Sequence, residues 1–225
     1  VTSDSRTYKP IGIFGGTFDP VHFGHLRTAQ ELLQDLDLAE VRLMPCGAPP
    51  HRGATLASSG QRLQMLRLAL AGCEGMVVDE RELSRPGPSY MIDSLTSLRR
   101  EVGDDRPLVL ILGMDAFAGL DGWYRWRELT SLAHLLVMHR PGWRLPDSGA
   151  VGALLRDAVA NGAEALHGRA AGAVLPWPVT QLDISATRIR ALLREHRSPR
   201  FLLPDAVLDY ILAQGLYQEN RQDGS

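Results

Sequence analysis

Short apolar runs alternate with helical patterns along this chain. That alternation predicts an α/β fold: a doubly wound parallel sheet with a small C-terminal helical part. Two further observations support it. Leu108-Val109-Leu110-Ile111-Leu112 is apolar at every position, as a strand covered on both faces must be. The polar and glycine-rich motifs follow apolar runs, and ligands of doubly wound sheets gather beyond the C-terminal strand ends.

The elements can be justified in order. Ile11-Gly12-Ile13-Phe14 reads as a first strand. Residues 26–36 read as a helix with Leu26, Ala29, Leu32 and Leu33 on one face. Residues 41–44 form a second strand, stopped by Pro45, and a loop with Gly47, Pro49, Pro50 and Gly53 follows. Leu63, Leu66 and Leu70 have helical spacing within 59–71, and 76–78 is a short strand. Ser89 is suited to cap a helix running to about residue 100, with Ile92, Leu95 and Leu98 as its apolar stripe. After the central strand, 126–132 is a short helix and 135–138 a strand. Residues 141–148 are turn-rich, and 151–159 are helical. Val174 and Leu182 belong to strand candidates, with Pro176 and Pro178 favouring an edge. Helices at 185–195 and 205–214 close the pattern, the last ended by Gly215. A single domain over 8–217 is expected, its helical part beginning near 185, with loose segments at 1–7 and 218–225.

Composition bounds the partners. The 225 residues are 44% hydrophobic, ample for a packed core, and the net charge is −2 with no long basic run. That argues against a dedicated nucleic-acid binder. Cys46 and Cys73 have neither redox nor zinc spacing, so a reducing cytoplasm is expected. No apolar run approaches the ~20 residues of a membrane span, and the polar N-terminal stretch lacks a signal-peptide core.

Two segments carry chemistry. Gly15-Gly16-Thr17-Phe18-Asp19-Pro20-Val21-His22-Phe23-Gly24-His25 sits where a strand turns into a helix. Helix N-termini expose unpaired N–H groups and partial positive charge, a natural seat for phosphate. His22 and His25 fit phosphate-facing donors best; metal ligation with Asp19 and a purely structural role are the alternatives. Gly24 is expected to let a bulky ligand approach the backbone. The second segment, Asp183-Ile184-Ser185-Ala186-Thr187-Arg188-Ile189-Arg190, converges two hydroxyls and an arginine fork on one spot. Taken alone it also fits an ordinary Ser-capped helix. Neither G-x-x-x-x-G-K-[ST] nor a G-x-G-x-x-G after the first strand is present. Asp79-Glu80-Arg81-Glu82 reads as a solvated charge run, and Trp143 and Trp177 as packing residues.

His22-Phe23-Gly24-His25 resembles the [HT]xGH signature of the nucleotidyltransferase superfamily, and Ile184-Ser185-Ala186-Thr187-Arg188-Ile189-Arg190 resembles its ISxTxIR signature. With Pro49-Pro50-His51-Arg52, Glu82-Leu83-Ser84-Arg85, Pro88-Ser89-Tyr90, Leu112-Gly113-Met114-Asp115 and Trp123-Tyr124, the chain looks like the bacterial nicotinate-nucleotide adenylyltransferases from Ile11 to Tyr217. The resemblance implies a Rossmann-like fold and two substrates, ATP and nicotinate mononucleotide. Mg²⁺ is expected mainly on substrate phosphates, with no protein metal site, and a monomer or small homo-oligomer is expected. His22, His25 and Arg190 would act at the reacting phosphates. Gly15, Gly16, Thr17, Phe18, Gly24, Gly113, Asp115, Ile184, Ser185 and Thr187 would complete the ATP site. His51, Arg52, Ser89, Tyr90, Met91, Trp123 and Tyr124 would bind the mononucleotide, Trp123 by stacking on the ring. Met91 stands where the family often has Thr, so a backbone N–H contact survives there and a hydroxyl contact does not.

Overall fold

The computed structural model describes residues 8–47, 55–139, 145–180 and 182–218. Six strands form one sheet: β1 (Ile11–Gly16), β2 (Glu40–Pro45), β3 (Met76–Val78), β4 (Leu108–Gly113), β5 (His134–His139) and β6 (Val174–Pro178). Their order is β3-β2-β1-β4-β5-β6, and every pairing is parallel. The chain winds outward from β1 in one direction and from β4 in the other. The crevice between those two strands is therefore the switch point of the sheet.

The register explains the apolar runs. Leu108, Leu110 and Leu112 of β4 join one buried cluster, and Val109 and Ile111 join the other. A strand covered on both faces cannot alternate with polar residues. One face is covered by α1 (Phe23–Asp35), α2 (Ser59–Ala69), α7 (Ala186–Arg194) and α8 (Asp205–Ala213). The other is covered by α3 (Met91–Val102), α4 (Met114–Ala118), α5 (Leu129–Leu132) and α6 (Gly149–Ala158). No helix among the described residues is long and apolar enough to cross a membrane.

The end of the sheet opposite the crevice is tied by two buried groups. The Arg99 guanidinium donates to the carbonyls of Leu132, Arg106 and Ala170, in the segments leading into β5, β4 and β6. His134 accepts the Ala173 N–H on Nδ1 at 3.0 Å, which leaves Nε2–H to donate to the Arg169 carbonyl at 2.8 Å.

Several sequence expectations need correction. Ser89 does not cap α3; the N-cap is Tyr90, and the Ser89 hydroxyl instead accepts the Gly47 N–H. Leu182 is exposed and lies in no strand, because β6 ends at Pro178 on the sheet edge. Helix α1 starts three residues earlier than its apolar stripe suggests, since His22 begins it. The charge run at 79–82 is not solvated throughout: Asp79 and Glu82 are buried, and Arg81 grips Asp79 with paired N–H groups.

Candidate active site

The loop after β1 delivers His22 to the N-cap of α1 and His25 to its first turn. Their rings stack at 3.7 Å between centroids. The His22 backbone N–H donates to His25 Nδ1 at 3.3 Å, so the His25 proton sits on Nε2. Phe18 and Phe14 pack edge-on against the His25 ring. His22 Nδ1 is buried with no partner among the described residues. Burial pushes His22 down to about 4 and His25 to about 3, with repulsion from His22 adding to the latter. Both imidazoles are therefore neutral N–H donors at neutral pH before any anion arrives, rather than part of a standing positive field.

Gly24 serves this arrangement in an unexpected way. A Cβ there would lie 3.0 Å from both Cε1 and Nδ1 of His22. The missing side chain makes room for the His22 ring itself. Gly16 does the same for Phe18, whose ring atoms would lie 3.0–3.2 Å from a Cβ.

Helix α7 faces this turn. Ser185 is its N-cap and accepts the Arg188 N–H at 3.2 Å. Arg190 donates to the Asp19 carbonyl at 2.6 Å and to Thr187 Oγ1 at 3.3 Å. Thr17, His22, His25, Ser185, Thr187 and Arg190 thus line one polar cleft of about 520 Å³, which Phe18, Ile184 and Thr55 also border. Apart from Asp19, the polar side chains lining it are donors or hydroxyls. Asp19 Oδ1 accepts from the Tyr217 hydroxyl at 2.5 Å and the Ala57 N–H at 3.1 Å, and Oδ2 accepts the Leu56 N–H at 2.8 Å. Burial and the Asp19 carboxylate together push the Tyr217 phenol far up, so it stays a donor.

A second, more apolar cleft of about 270 Å³ adjoins the first at Thr17. Gly15, Gly16 and Gly113 form its floor at the ends of β1 and β4, and Trp123, Tyr124 and the Ser89–Met91 turn border it. Tyr90 and Tyr124 pack ring against ring at 4.6 Å. Glu82 also lines this cleft, although it is only 4% exposed. Beneath both clefts lies Arg62, fully buried in α2. It donates to the carbonyls of Thr17 and Cys46, each at 2.8 Å, and so clamps the ends of β1 and β2.

The predicted ATP residues Thr17, Phe18, His22, His25, Ile184, Ser185, Thr187 and Arg190 meet in the polar cleft. Gly15, Gly16 and Gly113 border the apolar one instead, with Ser89, Tyr90, Met91, Trp123 and Tyr124. Asp115 is exposed in the first turn of α4 and borders neither cleft. His51 and Arg52 lie outside the described residues. Sequence reasoning missed Asp19 as a hub, Glu82, Arg62 and Tyr217. Arg62 had a readable signal: with Met65, Leu66 and Ala69 it makes the buried stripe of α2.

A model of the cytidylyltransferase-like family matches residues 13–192. The chain is thus a nucleotidyltransferase, in keeping with its sheet order and its cleft of phosphate-suited donors. A Hahella chejuensis protein named "Probable nicotinate-nucleotide adenylyltransferase" is 49% identical over 213 residues, 94% of this chain and 97% of that one. A Cellvibrio japonicus protein of the same name is 51% identical, covering 92% and 98%. The chain belongs to the nicotinate-nucleotide adenylyltransferase family, enzymes of NAD biosynthesis. The solved Plasmodium falciparum nicotinic acid mononucleotide adenylyltransferase complexed with NaAD shares the fold, with a TM-score of 0.71 at 16% identity over 93% of this chain and 98% of that one.

Proposed function

We propose that this enzyme transfers the adenylyl group of ATP to nicotinate mononucleotide, giving nicotinate adenine dinucleotide and pyrophosphate. One observation carries the reading: a donor-lined cleft and an aromatic-edged cleft meet at Thr17, beside the His22–His25 pair. The first suits a triphosphate and the second a pyridine ring. The mononucleotide phosphate oxygen forms a bond to the α-phosphorus while the bond from that phosphorus to the α,β-bridging oxygen breaks. Both attacker and leaving group are already anionic phosphates, so neither a protein nucleophile nor a general base is needed. Position and charge stabilisation do the catalysis.

In this reading His25 Nε2–H and His22 donate to oxygens around the α-phosphorus. Ser185, Thr187 and Arg190 hold the β,γ-phosphates, and Trp123 stacks on the pyridine ring. The start of α3 receives the ring carboxylate through backbone N–H groups. Mg²⁺, when bound, would neutralise phosphate charge and would be held mainly by the substrate phosphates. The residues fit that role because both oxygens of Asp19, the carboxylate at the polar cleft, are already engaged, and His22, His25 and Arg190 suit anions. Both cysteines as thiols suit a reducing cytoplasm.

The test is pyrophosphate release with ATP and, in parallel, the acid and amide mononucleotides. Release with the acid well above the amide supports the reading. A preference for the amide overturns the substrate, and ATP binding with no release from either overturns the reaction.

A further inference from the structure

Glu82 is a buried carboxyl bordering the cleft assigned to the pyridine ring, and the reaction as proposed gives it no task. Its partners are specific. Ser94 Oγ donates to Oε1 at 2.7 Å, and the Ser89 hydroxyl also bonds to the carboxyl. Ser89 Oγ in turn accepts the Gly47 N–H at 2.9 Å, from the end of β2. Ser94 Oγ lies 3.4 Å from the Tyr90 carbonyl and accepts from Arg85 at 3.2 Å. The two serines therefore flank Tyr90, the N-cap of α3, from either side in sequence. Gly47 lies so close to this segment that a Cβ on it would be 2.6 Å from the Glu82 carbonyl.

We propose that Glu82 is a positioning residue that sets acid-over-amide specificity, by holding Ser89 and Ser94 and so fixing where α3 begins. The proposal rests on the reading that this turn receives the ring carboxylate. A helix start discriminates a carboxylate from an amide only if its N–H groups are held in place, because the difference lies in charge and donor geometry rather than shape. Glu82 supplies that rigidity through its two serine partners. Its carboxyl is held above the usual carboxylate range, burial being the largest cause. Burial and Asp79 push the carboxyl up, while the two hydroxyls and Arg85 oppose them.

Glu82→Gln, nearly isosteric, is the variant to test, with KM and kcat for ATP and for both mononucleotides and a melting curve as a check on folding. The KM for the acid should rise about tenfold, as for loss of a hydrogen bond to a charged group, and the acid-to-amide ratio of kcat/KM should fall by a similar factor. The KM for ATP should stay put. Ser94→Ala should move the same ratio in the same direction, and decides the matter if the Gln variant fails to fold. An unchanged ratio in a folded variant overturns the proposal and leaves Glu82 a packing residue. A lower KM for the acid also overturns it, since the native carboxylate would then repel the substrate rather than position its receptor. Wild-type enzyme that uses neither mononucleotide overturns the proposed reaction instead.

Discussion

Replacing His22 with Asn should make the protein less sensitive to acid. Burial lowers the His22 imidazole from its ordinary 6.5 to about 4. In the unfolded chain it titrates normally. Above about pH 6.5 both states are neutral and the group adds no pH dependence. Between 6.5 and 4 the unfolded chain takes up a proton that the folded one refuses, so stability falls as pH falls. Below 4 both states carry the proton and the loss is complete. The gap of about 2.5 pH units corresponds to roughly 3 kcal/mol, of which about 2 is lost by pH 5. His22 is only 6% exposed and its Nδ1 has no partner among the described residues, so little in the folded protein compensates a new charge there. Urea unfolding of wild type and His22→Asn at steps from pH 7.5 to 4.5 isolates the term. Carboxylates and His134 titrate in both proteins and cancel in the difference; His25 owes its lowered pKa first to burial and only second to His22, so the difference reports mainly His22. The two stability curves should converge by roughly 2–3 kcal/mol as the pH drops. Parallel curves would refute the claim that the folded protein holds His22 neutral.

Two kinetic predictions follow from the same geometry. His25→Ala should lower kcat by about a hundredfold or more, as for loss of one preorganised donor, while the protein still unfolds cooperatively; normal turnover in the folded variant would remove His25 from the reaction. Trp123→Ala should raise the KM for the mononucleotide more than that for ATP, measured by pyrophosphate release, because Trp123 is half-buried at the aromatic cleft and the core is filled by Trp126. Equal changes in both constants would make it a packing residue.

The sheet was legible because its physics is local. β4 is buried on both faces, and its continuous apolar run says so. The Pro-bearing β6 lies on the edge, where missing N–H donors cost least. The two phosphate motifs were legible because each is a short helix start with its own donors. What the residue pattern concealed is which polar side chains go inside. Leu63, Leu66 and Leu70 suggest one buried face for α2, yet the helix is turned so that Arg62, Met65, Leu66 and Ala69 are buried with it. Ser89 fits a cap by type, but a partner from the end of β2 takes its hydroxyl.

Those concealed residues share a logic. Asp19 meets Tyr217 across 198 positions, Arg62 reaches Thr17 across 45, and Ser89 meets Gly47 across 42. No spacing rule can announce such pairs, because tertiary structure alone supplies the partners. Each spends a buried charge or hydroxyl on fixing backbone where the strands end. Under the proposed chemistry that is where the catalytic demand lies. A reaction between two phosphates that needs no protein nucleophile gains its rate from donors already in place, so error in their position is what must be suppressed. The side chains that touch the substrates advertise themselves in short motifs. The side chains that hold those motifs still need be neither adjacent nor similar, and only the fold brings them together.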